Sequence, residues 1–280
     1  MPEIGEIQAH AERLEADFVG RRLSNFRPIT FYVLKTFAPD PASAHGKALD
    51  AVITRGKYLR MHFGDVTFTV HLMQGGRLKP DEKQSAKPRG GQARWTFDDG
   101  SALLLTEAGS DKRAGIWLTD AEADPDEIEP LLGLGPDADT VSVEDLQTLL
   151  DEHTMRIHGL LRRQRIIAGI GRRLANDICH RAQISPFAMS GKLDEGQVAA
   201  LHDAIGSCIA DSLTFERAQE EIVASAKRPS AVHNKTGEPC PSCTDTIREV
   251  AYTRYTVNYC APCQTNGKVL ADNTTSKFLK

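Results

Sequence analysis

Apolar residues near the start of the chain recur at helical spacing. Ile7, Ala11, Leu14 and Phe18 fall on one face, which predicts an amphipathic helix from about residue 6. The following segments alternate in the manner of strands, and an Asp-Asp-Gly sequence at 98–100 predicts a hairpin turn. The predicted strands are 51–53, 58–63, 66–71, 93–97, 102–106 and 115–118. Residues 1–120 are therefore predicted to form a leading helix on an antiparallel β-sandwich.

The second half of the chain has helical periodicity. Helices are predicted at 143–153, 160–167, 172–181, 195–209 and 215–226, with breaks at Gly169-Ile170-Gly171 and Ser185-Pro186. The fold class is therefore α+β. The predicted division is a catalytic sandwich (1–120), a connector (121–142), a helical domain (143–228), a cysteine-containing module (229–270) and a tail (271–280).

Composition favours an ordinary soluble protein. Hydrophobic residues make up 40% and charged residues 26% of the 280 residues, so a substantial core can form. No apolar run approaches the roughly 20 residues that a membrane span needs, and no export signal precedes the first helix. We therefore expect a cytoplasmic protein that does not bind membranes and, in a bacterium, associates with the nucleoid.

Charge is segregated along the chain. The formal net charge is −4, yet residues 120–152 hold twelve acids and no Lys or Arg. Outside that segment 34 basic residues face 26 acids, and 153–190 contains seven arginines with Asp177 as its one acid. A basic body with a separate acidic connector is typical of nucleic-acid binding, although such runs are often simply solvated surfaces.

Four of the six cysteines form two Cys-x-x-Cys pairs. These are Cys240 with Cys243 and Cys260 with Cys263. Without an export signal this spacing indicates one structural zinc ion rather than disulfides, and four thiolates leave no position for a reactive water. The spacer 244–259 is rich in β-forming residues and predicts a hairpin. The other two thiols, in apolar helical patterns, are predicted to be packed rather than nucleophilic.

The first residues offer a nucleophile. Removal of Met1 would expose the secondary amine of Pro2, and an α-amino group has a pKa of about 8. The N-terminus of a helix should lower that pKa further. Glu3 and Glu6 lie close by in sequence and could move protons during Schiff-base chemistry. The simpler interpretation is a proline that merely begins a helix.

Several motifs occur in a set order. They are Met-Pro-Glu-Ile-Gly-Glu at 1–6, Arg-Gly-Lys-Tyr-Leu at 55–59, His-Leu-Met-Gln-Gly-Gly-Arg-Leu at 71–78, an Arg-rich segment ending in Gly-Ile-Gly at 161–171, and the four-cysteine module. This order resembles the formamidopyrimidine-DNA glycosylase / endonuclease VIII family of base-excision repair enzymes, over residues 2 to about 264. The resemblance implies a sandwich, a helix–two-turn–helix DNA-binding domain and a zinc-finger hairpin.

The resemblance also implies roles for individual residues. Pro2 is similar to the amine that attacks the sugar C1′ atom, and Glu3 to the acid/base that assists loss of the base. Glu6 matches an acid that supports the terminus, and Lys57 a lysine that contacts phosphate and helps catalysis. His71 resembles a histidine that grips a phosphate beside the lesion.

Two loops depart from the family pattern where the gap left by an extruded base is filled. The void-filling methionine of the family stands three residues after the histidine, whereas here Met73 stands two after His71 and Gln74 takes the expected place. The family's wedge loop carries an aromatic residue, which is Ala114 here, next to Arg113. These departures favour relaxed reading of the opposite base.

Further departures concern DNA contacts. Gly171 matches the close approach of a phosphate to a helix N-terminus, but Arg172 stands where the family has asparagine. In the zinc hairpin Tyr255 occupies the family's arginine position, and Arg254 precedes it. The helical first turn also has Gly5 where the family often has proline.

The expected function is a bifunctional DNA glycosylase/AP lyase that acts as a monomer on damaged double-stranded DNA. It would remove damaged bases through a Pro2 Schiff base and cut the strand by β- and δ-elimination, with a lesion preference shifted from 8-oxoguanine. One alternative is a catalytically quiet DNA-binding protein on the same scaffold. Another is a zinc-ribbon regulator with an unrelated first domain.

Overall fold

The computed structural model describes residues 1–221, 225–253 and 255–270 of the chain. Its residues group into two units. Unit 1 consists of Met1–Leu134 with Leu213–Lys227, and unit 2 of Gly135–Ser212 with the residues from Arg228 onward. Within the described ranges no helix has the length and apolar character needed to cross a membrane. The predicted five-part division stays a prediction, and its tail at 271–280 lies outside the described residues.

Unit 1 is a β-sandwich preceded by a helix, as predicted. Its elements are α1 (Ile4–Phe18), β1 (Leu23–Pro28), β2 (Ala51–Arg55), β3 (Tyr58–Phe63), β4 (Val66–His71), β5 (Gly76–Pro80), β6 (Gly91–Phe97), β7 (Ala102–Glu107) and β8 (Gly115–Asp120). One antiparallel sheet has the order β1-β6-β7-β5 and the other β2-β3-β4-β8. Strands β1 and β5 are additional to the predicted set.

Aromatic rings fill the space between the two sheets. The ring centroids of Phe68 and Trp95, from opposite sheets, are 5.8 Å apart, and those of Phe26 and Trp95 are 5.0 Å apart. Helix α1 covers one side of this core, where the Phe18 and Phe97 centroids are 5.2 Å apart. Each fully buried apolar side chain of this kind contributes about 1.5–3 kcal/mol. The packed sandwich is the fixed support for the residues at its strand ends.

Unit 2 is mainly helical and ends in a hairpin. Its elements are α2 (Val143–Glu152), α3 (Ile157–Leu161), α4 (Arg172–Arg181), α5 (Glu195–Arg217, whose last turn belongs to unit 1), β9 (Ile247–Tyr252), β10 (Tyr255–Cys260) and α6 (Ala261–Thr265). Single 3₁₀ turns occur at Pro41–Ala44, Pro125–Glu127, Ser190–Lys192 and Ser225–Lys227. The antiparallel β9–β10 pair confirms the hairpin predicted in the cysteine spacer.

Two helix predictions were wrong in extent. The helix predicted at 160–167 lies at Ile157–Leu161. The residues that follow form a loop instead, in which the Gln164 side chain bonds to the backbone of Gly169 and Ile170. The separate helices predicted at 195–209 and 215–226 form one helix through Arg217. No proline or glycine lies between residues 207 and 217 to interrupt that helix.

Candidate functional site

Helix α1 begins with two carboxylates that bond to each other's backbone. The Glu3 carboxylate accepts the backbone N–H of Glu6, and Glu6 Oε2 accepts the backbone N–H of Glu3 at 3.1 Å. This capping box satisfies N–H groups that have no partner inside the helix. Both acids are almost fully buried, at 3% and 6% exposure, and Pro2 is buried as well. The first turn therefore fixes both carboxylates immediately after Pro2.

Lys57 lies in the two-residue turn between β2 and β3. Arg55 pairs with Tyr58 across this turn, and Gly56 has a φ of 57°. A positive φ at the first central position is what a type II′ hairpin turn requires, and glycine adopts it without steric cost. The Lys57 side chain is only 4% exposed. The turn thus carries a buried ammonium group at the end of the sandwich.

The electrostatics of His71 link it to Lys57 and to the chain terminus. Burial, and after it the positive charges of Lys57 and of the chain's terminal amine, lower the pKa of His71 to about 4. Coulombic interactions weaken with distance, so Lys57 and the terminal amine lie in the neighbourhood of the His71 ring. His71 Nδ1 accepts the backbone N–H of Met73 at 3.1 Å, so the neutral imidazole carries its proton on Nε2. The site therefore offers a neutral N–H donor beside two amines.

Neighbouring rings hold His71 in place. Its ring centroid is 4.6 Å from that of Tyr58, which in turn is 6.2 Å from that of Trp117. His71 pairs with Tyr58 on one side and with Gly115 on the other. A Cβ atom on Gly115 would lie 2.5 Å from the Trp117 ring, so a larger residue at position 115 would displace Trp117 and the rings beside it. The histidine is consequently a rigidly oriented group.

The turn after His71 presents the predicted void-filling residues. Met73 is partly buried and has a φ of 52°, whereas Gln74 is exposed. A Cβ atom on Gly76 would lie 2.1 Å from the carbonyl oxygen of Leu72, so only glycine permits this close turn. At this turn Gln74 is therefore the more exposed of the two side chains, and Met73 the more buried.

The loop before β8 is fixed by a buried acid. The Glu107 carboxylate accepts the backbone N–H groups of Arg113 and Ala114, both at 2.8 Å. Ala114 is fully buried, while the Arg113 side chain is 67% exposed and forms an ion pair with Asp111 at 2.7 Å. Arg113 is thus placed on the surface of unit 1, with its charge partly compensated within the loop.

Arg77 is absent from the residues predicted above, yet it belongs to this site. Burial lowers the pKa of Arg77, and the carboxylates of Glu6 and Glu216 raise it, so the guanidinium lies near both acids. Helix α1 also contacts the segment that contains Glu216, because Arg13 of this helix donates to the backbone oxygen of Glu216 at 2.5 Å. The face of β5 that carries Arg77 also carries the exposed Lys79, so the local sequence pattern gave no signal that Arg77 is partly buried.

In unit 2 the side chain of Gln164 organises the loop before α4. Its amide donates to the Ile170 carbonyl at 2.8 Å and accepts the Gly169 N–H at 3.0 Å. Gly169 has a φ of 98°, and Gly171 caps α4 without a side-chain hydrogen bond. Arg172 follows as the first, exposed residue of the helix. Gly171 and Arg172 are thus brought together at a helix N-terminus, where anions are favoured.

Tyr255 takes part in a stack of rings. The Tyr252 and Tyr255 centroids are 4.7 Å apart at an angle of 14°, and the Arg162 guanidinium lies 4.1 Å from the Tyr255 centroid. The family's arginine position is therefore filled by a tyrosine that itself binds an arginine. Arg254 lies outside the described residues.

The four predicted zinc ligands converge. All four sulfur atoms lie within 4.8 Å of one another, with Cys240 and Cys263 sulfurs 3.9 Å apart and those of Cys243 and Cys260 3.3 Å apart. Tetrahedral thiolates about 2.3 Å from zinc would be roughly 3.8 Å apart. The donor set and its spacing fit a structural zinc ion. The remaining thiols, Cys179 and Cys208, are buried, as predicted.

Comparison with known proteins agrees with this architecture. The sequence model described as formamidopyrimidine-DNA glycosylase N-terminal domain matches residues 1–113. An uncharacterized formamidopyrimidine-DNA glycosylase-like protein of Mycobacterium tuberculosis is 44% identical over 149 residues, which are 52% of this chain and 94% of that protein. The formamidopyrimidine-DNA glycosylase of Solibacter usitatus is 29% identical over 94% of this chain and 99% of its own length. The chain belongs to the formamidopyrimidine-DNA glycosylase family.

Solved structures show the same fold. MutM in complex with DNA containing carbocyclic 8-oxo-G has a TM-score of 0.83 and 21% identity, over 94% of this chain and 100% of that one. Lactococcus lactis formamidopyrimidine-DNA glycosylase, non-covalently bound to DNA containing an AP site, has a TM-score of 0.81 and 20% identity, over 94% and 99%. The α+β architecture is thereby confirmed.

Proposed function

We propose that this protein is a bifunctional DNA glycosylase/AP lyase. The observation that carries the proposal is the grouping of the chain terminus with Lys57 and His71, directly before the Glu3–Glu6 capping box. The Solibacter usitatus relative is called a formamidopyrimidine-DNA glycosylase, and the two solved neighbours hold damaged or abasic DNA. Schiff-base chemistry requires an amine nucleophile, and carboxylates beside it can transfer the protons of the reaction.

The proposed reaction starts when loss of Met1 exposes the amine of Pro2. Its nitrogen attacks the sugar C1′ atom, the bond between C1′ and the base breaks, and the base leaves with the bonding electrons and a proton. Loss of the amine proton and opening of the sugar ring yield an iminium ion joined to the strand. The iminium acidifies the C2′ proton, so its removal expels the 3′ phosphate, and a second elimination expels the 5′ phosphate. Water then releases the enzyme.

The surrounding residues are proposed to transfer protons, position the terminus and bind phosphate. Glu3 is proposed to transfer protons at the leaving base and the sugar, because its carboxylate is fixed one residue from the nucleophile. Glu6 holds the Glu3 backbone and so positions the terminus. Lys57 contributes a positive charge that binds a phosphate. His71 donates Nε2–H to the next phosphate.

DNA contacts are proposed on both units. Gly171 and Arg172 at the start of α4 would bind backbone phosphate, and Arg113 and Met73 would enter the gap left by the extruded base. The cysteine cluster would hold zinc, which supplies the fold of the hairpin and no reactive water. We further propose that the protein works as a monomer in the cytoplasm.

Borohydride trapping on DNA with an abasic site tests the chemistry. The mature protein, with Met1 loss verified by mass, should form a covalent complex that Pro2→Gly weakens and Glu3→Gln alters. Asp17→Asn provides the matched control, since Asp17 is an exposed acid on the same helix. Absence of any adduct despite tight DNA binding would instead identify a catalytically quiet scaffold, the alternative favoured by Gln74 and Ala114.

The lesion preference is proposed to differ from that of an 8-oxoguanine enzyme. The wedge position is an alanine, Ala114, rather than an aromatic residue, and Ala114 is buried. Oxidised pyrimidines, single-stranded lesions or bulky lesions are therefore the expected substrates. A panel of lesion duplexes would overturn this proposal if 8-oxoguanine paired with cytosine were excised selectively.

A further inference from the structure

Three aromatic side chains stand out on the surface of unit 1. Phe31 is 96% exposed, Phe37 is 100% exposed and Tyr32 is 46% exposed. Lys35 belongs to the same segment, and its ammonium lies 5.9 Å from the Tyr32 centroid. We refer to Phe31, Tyr32, Lys35 and Phe37 as the aromatic patch. Three exposed rings within seven consecutive residues offer apolar surface for an interaction.

The backbone beneath the aromatic patch is firmly bonded. The N–H of Lys35 donates to the Ile116 carbonyl and the N–H of Ile116 to the Val33 carbonyl, both at 2.8 Å. Val33 is fully buried, and the Leu118 N–H donates to Thr36 Oγ1 at 2.8 Å. Because the inward-facing residues fix this segment, the rings are held outward by the fold itself.

The aromatic patch continues into the proposed active site. A Cβ atom on Gly115 would lie 3.1 Å from Lys35 Cε and 2.5 Å from the ring of Trp117, so these two side chains meet over that glycine. Gly115 is the strand partner of His71, and Trp117 packs against the Tyr58 ring that touches His71. A continuous row of side chains thus joins the patch to the phosphate-binding histidine.

We propose that the aromatic patch binds unpaired bases of single-stranded DNA next to the lesion, with Lys35 against the adjoining phosphate. Exposed rings bind successive bases by stacking, and a nearby cation binds the backbone. The charge fits a nucleic acid, because residues 29–38 contain one lysine and no acid. The inference rests on the proposed function, since its continuity argument runs through His71. It extends that function to substrates with a single-stranded flank.

Binding to an uncleavable probe tests the proposal without depending on chemistry. The probe is an oligonucleotide with a tetrahydrofuran abasic analogue and a neighbouring 2-aminopurine, used single-stranded and in a paired duplex. Phe31→Ser with Phe37→Ser should weaken single-strand binding about tenfold or more and abolish the 2-aminopurine quenching. Duplex binding should weaken by a smaller factor. Leu132→Ser is the control, since Leu132 is 51% exposed in the same unit.

Two further variants separate stacking from a loss of folding. Phe31→Tyr with Phe37→Tyr should retain binding and quenching, because tyrosine stacks as well as phenylalanine. Equal losses on single strand and duplex, or no loss on either, would overturn the proposal. So would a wild-type dimer that the serine variant converts to a monomer, which would make the patch an interface between copies. Failed borohydride trapping with intact patch-dependent binding would refute the lyase chemistry alone.

Discussion

The neutral state of His71 gives the sharpest prediction for DNA binding. Its pKa is lowered to about 4, so the imidazolium forms only as the pH falls through that value. At pH 7 about 0.1% of the group is protonated, and charging it would cost about 4 kcal/mol, at about 1.4 kcal/mol per pKa unit. A hydrogen bond to a charged group contributes only about 1.5–3 kcal/mol. His71 should therefore bind phosphate as a neutral N–H donor.

Replacement of His71 separates the two possibilities. His71→Gln keeps a neutral N–H donor and should lower affinity for an abasic-analogue duplex by only a few-fold, whereas His71→Phe keeps the packing against Tyr58 but loses the donor. The phenylalanine variant should bind about tenfold or more weakly, as expected for a lost hydrogen bond to a charged group. Fluorescence anisotropy at pH 6, 7 and 8 measures both effects.

The pH dependence decides the matter. For a neutral donor, the ratio of wild-type to His71→Gln affinity stays constant from pH 8 to pH 6. If His71 instead bound as an imidazolium, that ratio would rise about tenfold for each unit of falling pH, because one proton would be taken up on binding. Such a rise would refute the neutral-donor argument.

Three further outcomes are expected. Zinc analysis should find one ion per chain. Removal of zinc by a chelator, or the substitution Cys243→Ser, should unfold the β9–β10 hairpin and weaken DNA binding. Unchanged binding without zinc would contradict a structural role. Arg77→Met should destabilise unit 1 to urea by about 3 kcal/mol and slow trapping, because it leaves the buried Glu6 charge uncompensated, and Arg77→Lys should recover part of both. The pKa of His10, lowered to about 4 by burial, predicts a loss of about 2 kcal/mol of stability between pH 7.5 and pH 5, since only the unfolded state takes up that proton near pH 6.5. His10→Gln should remove that difference in urea titrations at the two pH values, and an equal loss in both proteins would argue against it.

Local patterns were sufficient for several strands of unit 1. The alternation in β3 and β4 and the turn at 98–100 predicted strands that the structure contains. By contrast, β1 and β5 include proline, glycine and charged residues, and they are strands because β6 and β7 pair with them. Strand formation of that kind depends on distant partners, which single-sequence patterns do not contain.

The candidate site likewise combines features that have a local sequence signal with features that depend on distant residues. The capping box is a local signal, a carboxylate three residues after another at a helix start, so Glu3 and Glu6 could be predicted. By contrast, the environment of Arg77 includes the charges of Glu6 and of Glu216, which is 139 residues further along the chain. The exposure of Phe31 and Phe37 could not be predicted from the sequence either, because an apolar sequence segment ordinarily predicts burial.

The capping box has a consequence for interpreting relatives of this protein. Glu3 and Glu6 complete the first turn of α1 whether or not the terminus ever reacts. A descendant that had lost enzymatic activity would still be under selection to keep both acids, simply to begin its first helix. Their presence in another genome is therefore poor evidence for catalysis. Pro2 and Lys57 have no part in that capping box, so under the proposed chemistry they are the residues that would distinguish an active member from an inactive one.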